Sequence, residues 1–114
     1  MTELRFVFKR TNEFGRWHDG QSPLNRIRID ARLDAIAEGR FGDSRSLGSG
    51  LFELKWKNGM RVYFSRRRVA GIDLFVLWGG FKGSQGADIL KSRRLKSRSE
   101  HEAQIQETES KDEP

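Results

Sequence analysis

The chain contains no cysteine, so a disulfide framework, a thiolate metal site and a cysteine nucleophile are all excluded. Its two histidines, His18 and His101, lie far apart and lack the spacing that would place two imidazoles on one metal, so neither a histidine metal centre nor histidine catalysis is expected. No apolar run approaches the roughly 18 residues needed to cross a bilayer. The opening Met1-Thr2-Glu3-Leu4-Arg5 also lacks the apolar block of a signal peptide. These absences lead us to expect a soluble, cytoplasmic protein that uses no metal and no cofactor. At 114 residues the chain has room for one domain with one modest core.

What is abundant is positive charge. The net charge of +6 understates it, because residues 99–114 carry six acidic groups against Lys111. Residues 1–98 hold 21 basic and 10 acidic side chains, a net +11. A domain of this size with that charge attracts polyanions in a salt-sensitive way, which favours nucleic acid as partner and an acidic protein surface second. The acidic, polar stretch from Ser99 is expected to be a frayed or disordered tail, and if its negative charge competes for the basic face, deleting it should tighten binding of a polyanion at low salt and have less effect at high salt.

Hydrophobic periodicity orders the elements. Leu4 to Phe8 alternates and predicts a short leading strand. Thr11 or Asn12 can cap a brief helix carrying Phe14 and Trp17. Ser22 as N-cap, Pro23 in the first turn, and Ile29, Leu33, Ile36 and Ala37 at helical spacing predict a helix over 23–38. A short strand around Asp43 to Leu47 is followed by strands at Leu51–Lys57, Met60–Arg66 and Ile72–Trp78. The last is almost continuously apolar and should be covered on both faces. A final helix is expected from about Ala87, with Ile89 or Leu90 and Leu95 facing the sheet.

The hairpin between the second and third of these strands decides which side chains share a face. A two-residue Asn58-Gly59 loop would mix apolar and charged groups on both faces. A three-residue Lys57-Asn58-Gly59 loop with Gly59 left-handed instead pairs Trp56 with Met60, Leu54 with Val62 and Phe52 with Phe64. The other face then sets Glu53 across from Tyr63 and Lys55 across from Arg61, on what is expected to be an open sheet surface. Arg61 stays protonated and can grip phosphate oxygens in a bidentate way, while Lys55 adds a point charge. By spacing alone the same residues are equally ordinary cross-strand charge pairs contributing roughly 0.2–1 kcal/mol each. Arg66-Arg67-Arg68 is likewise either a phosphate clamp or a solvated strand end.

Gly79-Gly80-Phe81-Lys82-Gly83-Ser84-Gln85 falls between a strand and a helix, where free backbone N–H groups and the helix dipole can attract an anion. It is not a P-loop, because Lys82 is followed by Gly83 rather than Ser or Thr. If the protein cleaves RNA, the protons must be moved by Lys55 or Lys82, by Tyr63, or by Glu53.

The blocks Gly42-Asp43, Gly50-Leu51-Phe52-Glu53-Leu54-Lys55, Gly59-Met60-Arg61-Val62-Tyr63-Phe64 and Gly79 to Gln85 with Asp88-Ile89, in that order, resemble the phage-derived, HigB-like addiction module killer proteins of the RelE/ParE toxin superfamily. The resemblance runs from about Phe6 to Arg98. It implies an α+β fold: N-terminal helices, a twisted, mostly antiparallel sheet and a C-terminal helix, with a toxin domain over 1–98 and the acidic tail over 99–114.

For function, the resemblance implies the toxin of a type II toxin–antitoxin module that blocks translation by metal-independent, ribosome-dependent mRNA cleavage. Its partners would be mRNA on the ribosome and a helix-turn-helix antitoxin. The alternatives are a ParE-like DNA gyrase inhibitor and a decayed, non-catalytic toxin that only binds its antitoxin. Carried onto matching positions, Arg61 would stabilise the transition state, Lys55 and Lys82 would contact phosphate or transfer protons, and Tyr63 would position or stack on a base. Lys57, Arg66, Arg67 and Arg68 would contact RNA. The chain departs from the group at Lys55, where Arg is frequent, at Trp78 before the Gly pair, and at Phe81-Lys82, where Asp-Lys is usual.

Overall fold

The computed structural model describes residues 5–112. In chain order the elements are β1 (Phe8–Arg10), α1 (Asn12–Asp19), α2 (Pro23–Ala37), β2 (Ser44–Gly48), β3 (Leu51–Lys55), β4 (Met60–Ser65), β5 (Leu74–Phe81), a 3-10 turn over Lys82–Ser84 and α3 (Gln85–Asp112). The fold is α+β. One five-stranded sheet has the order β1-β5-β4-β3-β2. β1 runs parallel to β5 and the other three pairings are antiparallel.

Both N-terminal helices begin where the capping residues require. The Thr11 hydroxyl accepts from Phe14 N–H at 2.9 Å and donates to the Leu77 carbonyl at 2.6 Å, so one side chain starts α1 and fastens it to β5. Ser22 caps α2 through Asn25 N–H at 3.2 Å, with Pro23 in the first turn. Ile29, Leu33, Ile36 and Ala37 form its buried stripe, as their spacing predicts. Ile29, Leu33 and Ile36 pack with Phe14 against Leu54, Met60, Val62 and Phe64 on one face of the sheet.

The hairpin adopts the three-residue loop. Phe52 pairs with Phe64, Glu53 with Tyr63, Leu54 with Val62 and Lys55 with Arg61. Trp56 N–H donates to the Met60 carbonyl at 2.9 Å, and Gly59 has φ +90°, a value that disfavours any side chain. The second face is packed by α3, whose Leu95 and Ala103 join Leu51, Tyr63, Phe75 and Leu77. A register irregularity between Tyr63 and Phe64 skips Leu77, so that Leu77 and Trp78 both turn toward α3.

Three expectations are corrected. The leading strand is Phe8–Arg10 rather than Leu4 to Phe8; Leu4 lies outside the described residues, and Phe6 and Val7 are exposed. β5 starts at Leu74 and runs on through Gly79 and Gly80 to Phe81, past the expected end at Trp78. The acidic segment is not frayed: α3 crosses residue 98 without a break and continues to Asp112. Its reason is the buried stripe Ser92, Leu95, Ser99 and Ala103, which carries helical spacing into the acidic segment and packs near Val69 and Ile72. Three of those four residues are small or polar, so the stripe has little hydrophobic contrast.

Candidate functional site

The hairpin register sets Glu53, Lys55, Arg61 and Tyr63 on the face toward α3. That face is not the open surface expected. Glu53 is 2 %, Arg61 7 % and Tyr63 0 % exposed, because the start of α3 closes over them. What remains open is a cleft of about 200 Å³ lined by Asp43, Arg45, Glu53, Lys55, Arg61 and Gln85. β2 contributes Arg45 by pairing it with Glu53, and α3 contributes Gln85 from its first residue.

Glu53 organises the cleft floor. Its carboxylate accepts from Gln85 Nε2 at 2.9 Å and from Arg45 Nη2 at 3.2 Å, and lies 3.7 Å from Arg61 Nε. A buried carboxylate is stable only with such compensation, and these three partners supply it. Arg61 Nη1 also donates to the Gly59 carbonyl at 3.3 Å, which ties the guanidinium to the hairpin turn. Among the described residues, Arg61 Nε has no hydrogen-bond partner. Lys55, directly across from Arg61, is exposed at the cleft wall.

Tyr63 does not fit the role expected of it. With no exposed surface it cannot stack on a base. Burial, reinforced by the nearby carboxylates of Glu53 and Asp88, raises its phenol well above the usual tyrosine range, so the hydroxyl stays protonated and supplies no base. Lys82 lies in the 3-10 turn beside Gly59, at the same end of the sheet as Lys55 and Arg61, and is exposed, but it does not line the cleft. The structure therefore brings Lys55, Arg61 and Lys82 to one end and removes Tyr63 from the surface.

The triple arginine is elsewhere. Arg66 follows β4 five residues after Arg61, roughly 17 Å along a strand, and lies over the Phe41 ring at 3.7 Å and the Phe52 ring at 5.2 Å. Arg68 Nε is 3.6 Å from Asp73 and Arg67 Nη1 is 3.9 Å from Glu100. Arg66, Arg67 and Arg68 cannot clamp a phosphate held between Lys55 and Arg61. Lys57 is in the hairpin loop, on a separate surface with Arg28, Trp56 and Asn58.

The Gly-rich segment has a packing explanation. Gly79 and Gly80 are in β5 rather than in a loop. A Cβ on Gly79 would stand 2.3 Å from the Trp17 ring, and one on Gly80 would stand 2.0 Å from Asp88 Oδ2. Asp88 also accepts from Trp78 Nε1 at 3.0 Å and from Ser84 Oγ at 2.5 Å. A carboxylate of the chain itself thus occupies the first turn of α3, the place where an external anion was expected. His18 is engaged in the helical hairpin, its Nε2 2.8 Å from Asp30 Oδ1. Among the described residues, no group of three or more His, Cys, Asp or Glu is placed to hold a metal ion.

Sequence reasoning missed Arg45, Gln85 and Asp43 as cleft residues. Gln85 stood within the Gly-rich block without an assigned role. Asp43 entered only through the Gly42-Asp43 block, without a role, and Arg45 carried no local signal, since its placement depends on how β2 registers against β3.

The fold and the cleft define a small α+β domain whose sheet carries, under its C-terminal helix, a polar recess lined by three cations, two carboxylates and a glutamine. No family model and no solved structure matches it. The chain is 33 % identical over 95 residues to an uncharacterized protein of Haemophilus influenzae, a match covering 81 % of this chain and 94 % of that one, and it belongs to that protein's family. Among the described residues, no helix is long and apolar enough to cross a membrane.

Proposed function

We propose that the chain is a cytoplasmic toxin of a type II toxin–antitoxin module, of the HigB-like group of the RelE/ParE superfamily, and that it stops translation by cleaving mRNA at the ribosome. The observation that carries this reading is the Lys55–Arg61 pair at the cleft, with Arg45 beside it and Lys82 at the same sheet end. Three of these cations converge on a recess of phosphate scale, where Glu53 and Asp43 offset part of their charge.

In the reaction, the ribose 2′-oxygen bonds to phosphorus and the bond to the 5′-oxygen breaks, leaving a 2′,3′-cyclic phosphate and a 5′-hydroxyl. One proton leaves the 2′-hydroxyl and one reaches the 5′-oxygen. Arg61, protonated throughout, offsets the charge that builds on the phosphorane. Glu53 holds the Arg61 guanidinium and the Gln85 amide in place. Lys55 and Lys82 contact phosphate and are the exposed groups able to relay protons. The partners are ribosome-bound mRNA and a small helix-turn-helix antitoxin.

A second reading, inhibition of DNA gyrase without RNA cleavage, gains support from one feature: Tyr63 is buried and Arg61 nearly so, which leaves the cleft without a base-stacking aromatic. The test is induced expression of wild type, Arg61→Ala and Lys55→Ala without antitoxin, following growth and mapping RNA 5′ ends. Because Arg61→Ala leaves Glu53 short of a partner, the exposed Lys55→Ala separates chemistry from misfolding. Arrest with new 5′ ends, weakened at least about tenfold in Lys55→Ala, supports the nuclease. Arrest without new ends, unchanged in both variants, supports the gyrase reading, and no arrest leaves a toxin that only binds its antitoxin.

A further inference from the structure

Among the described residues, the outer face of α2 is left uncovered at Leu24 and Ile27. Leu24 is 54 % and Ile27 65 % exposed, and both lie on the helix face that carries Arg28. Beside them, Arg28 together with Trp56, Lys57 and Asn58 of the hairpin lines a groove of about 380 Å³. Two of the four lining residues are cations and none is a carboxylate. The groove therefore suits a segment that is apolar on one side and acidic on its flanks. Nucleic acid gains little there, because the aromatic of the groove, Trp56, packs against the core and has the Arg32 guanidinium over its ring at 4.6 Å, while Leu24 and Ile27 offer no further aromatic face for a base.

The same chain carries such a segment at its other end. From Gln104 to Glu109 every residue of α3 is exposed. His101, Ile105 and Thr108 fall at i, i+4 and i+7 and line one shallow surface, with Ile105 44 % exposed at its middle. Glu102 and Glu109 lie along one side of that stripe, Glu102 being 3.6 Å from Arg98 of the preceding turn, and residues 99–114 hold six acidic groups against one lysine. A helix end with one apolar anchor among carboxylates can seat that anchor on an apolar patch while charge complementarity fixes its orientation.

We propose that the acidic C-terminal turns of α3 in one copy dock in the α2–hairpin groove of a second copy. Ile105 packs on Leu24 and Ile27, and the flanking carboxylates face Arg28 and Lys57. Groove and helix end are different parts of the surface, so the contact is head-to-tail and propagates into short chains unless it closes into a ring. It is independent of what the cleft does.

Sedimentation equilibrium of the full chain from micromolar to millimolar concentration tests this, at low salt and at high salt. The expected result is a mass that rises with concentration and falls back on adding salt. Ile27→Asp and Ile105→Asp, both at exposed positions, each weaken association at least about tenfold. Mixed in equal amounts they form a 1:1 complex, since each retains one intact half of the contact. The charge pair Arg28→Glu and Glu109→Arg gives the same pattern, singly weak and jointly restored. A wild type that stays monomeric at millimolar concentration and low salt overturns the proposal. So do two folded single variants, checked by circular dichroism, that fail to combine.

Discussion

Gly79 and Gly80 stand back to back in β5, one against the Trp17 ring and the other against the Asp88 carboxylate. Successive strand residues point to opposite faces, so this dipeptide lets α1 and α3 approach the same stretch of sheet from both sides. Asp88 cannot retreat easily, because Trp78 and Ser84 both donate to it and it is buried. Gly80→Ala is therefore expected to lower stability by about 1–3 kcal/mol, the usual cost of overpacking, whereas Gly86→Ala, in α3 with open space around it, should hold or raise the chemical-denaturation midpoint, since alanine favours helix over glycine. Equal midpoints for the two variants would remove this account of the glycine pair. Glu53 shows the converse logic, a charge that is tolerated in the interior only because Gln85, Arg45 and Arg61 surround it.

Polar contacts tie the elements to one another at several points, and one of these reports on pH. Glu13 of α1 accepts two hydrogen bonds from Arg98 of α3, one of them at 2.8 Å to Arg98 Nη2. Chiefly through that hydrogen bond, the carboxyl is held at about 2, against 4.5 for an unperturbed glutamate. In the folded state Glu13 thus binds its proton less readily than in the unfolded chain. Its stabilising contribution is fully present above pH 4.5 and is lost as the pH falls toward 2. Unfolding measured across this window should show wild type more stable than Glu13→Gln at neutral pH, with the gap closing toward pH 2; a constant gap would mean the Arg98 contact contributes nothing that titrates. At this scale the sequence was informative wherever a signal was local. The caps Thr11 and Ser22, the stripe of α2 and the loop register at Gly59 all followed from neighbouring residues. The covering of Glu53, Arg61 and Tyr63 by α3 did not, because it depends on a stripe built from Ser92, Ser99 and Ala103, and the place of β1 depends on a partner strand far along the chain.

For the whole molecule, the separation of charge along α3 matters more than its sum. The helix starts at the cleft with Gln85, and Glu102 is 17 residues further on, a distance of about 25 Å at helical rise. That is roughly three screening lengths at physiological salt, so within one molecule the acidic end does not compete for the cleft as an unstructured tail could. Neutralising it with Glu102→Gln and Glu109→Gln is expected to change the affinity of the dilute, monomeric protein for a short RNA by less than about twofold at physiological salt. Tightening of tenfold or more would show that the acidic end does reach the cleft. The parallel pairing of Phe8, Lys9 and Arg10 with Leu74, Phe75 and Val76 bears on how the chain reaches this state. The β3–β4 hairpin closes across a three-residue turn and can form as soon as it is synthesised, whereas β1 emerges first and has no neighbour until β5 follows it. The first strand made is the last that can be placed, so the N-terminal segment with α1 and its Thr11 clasp on Leu77 must wait, solvent-exposed, for the rest of the sheet.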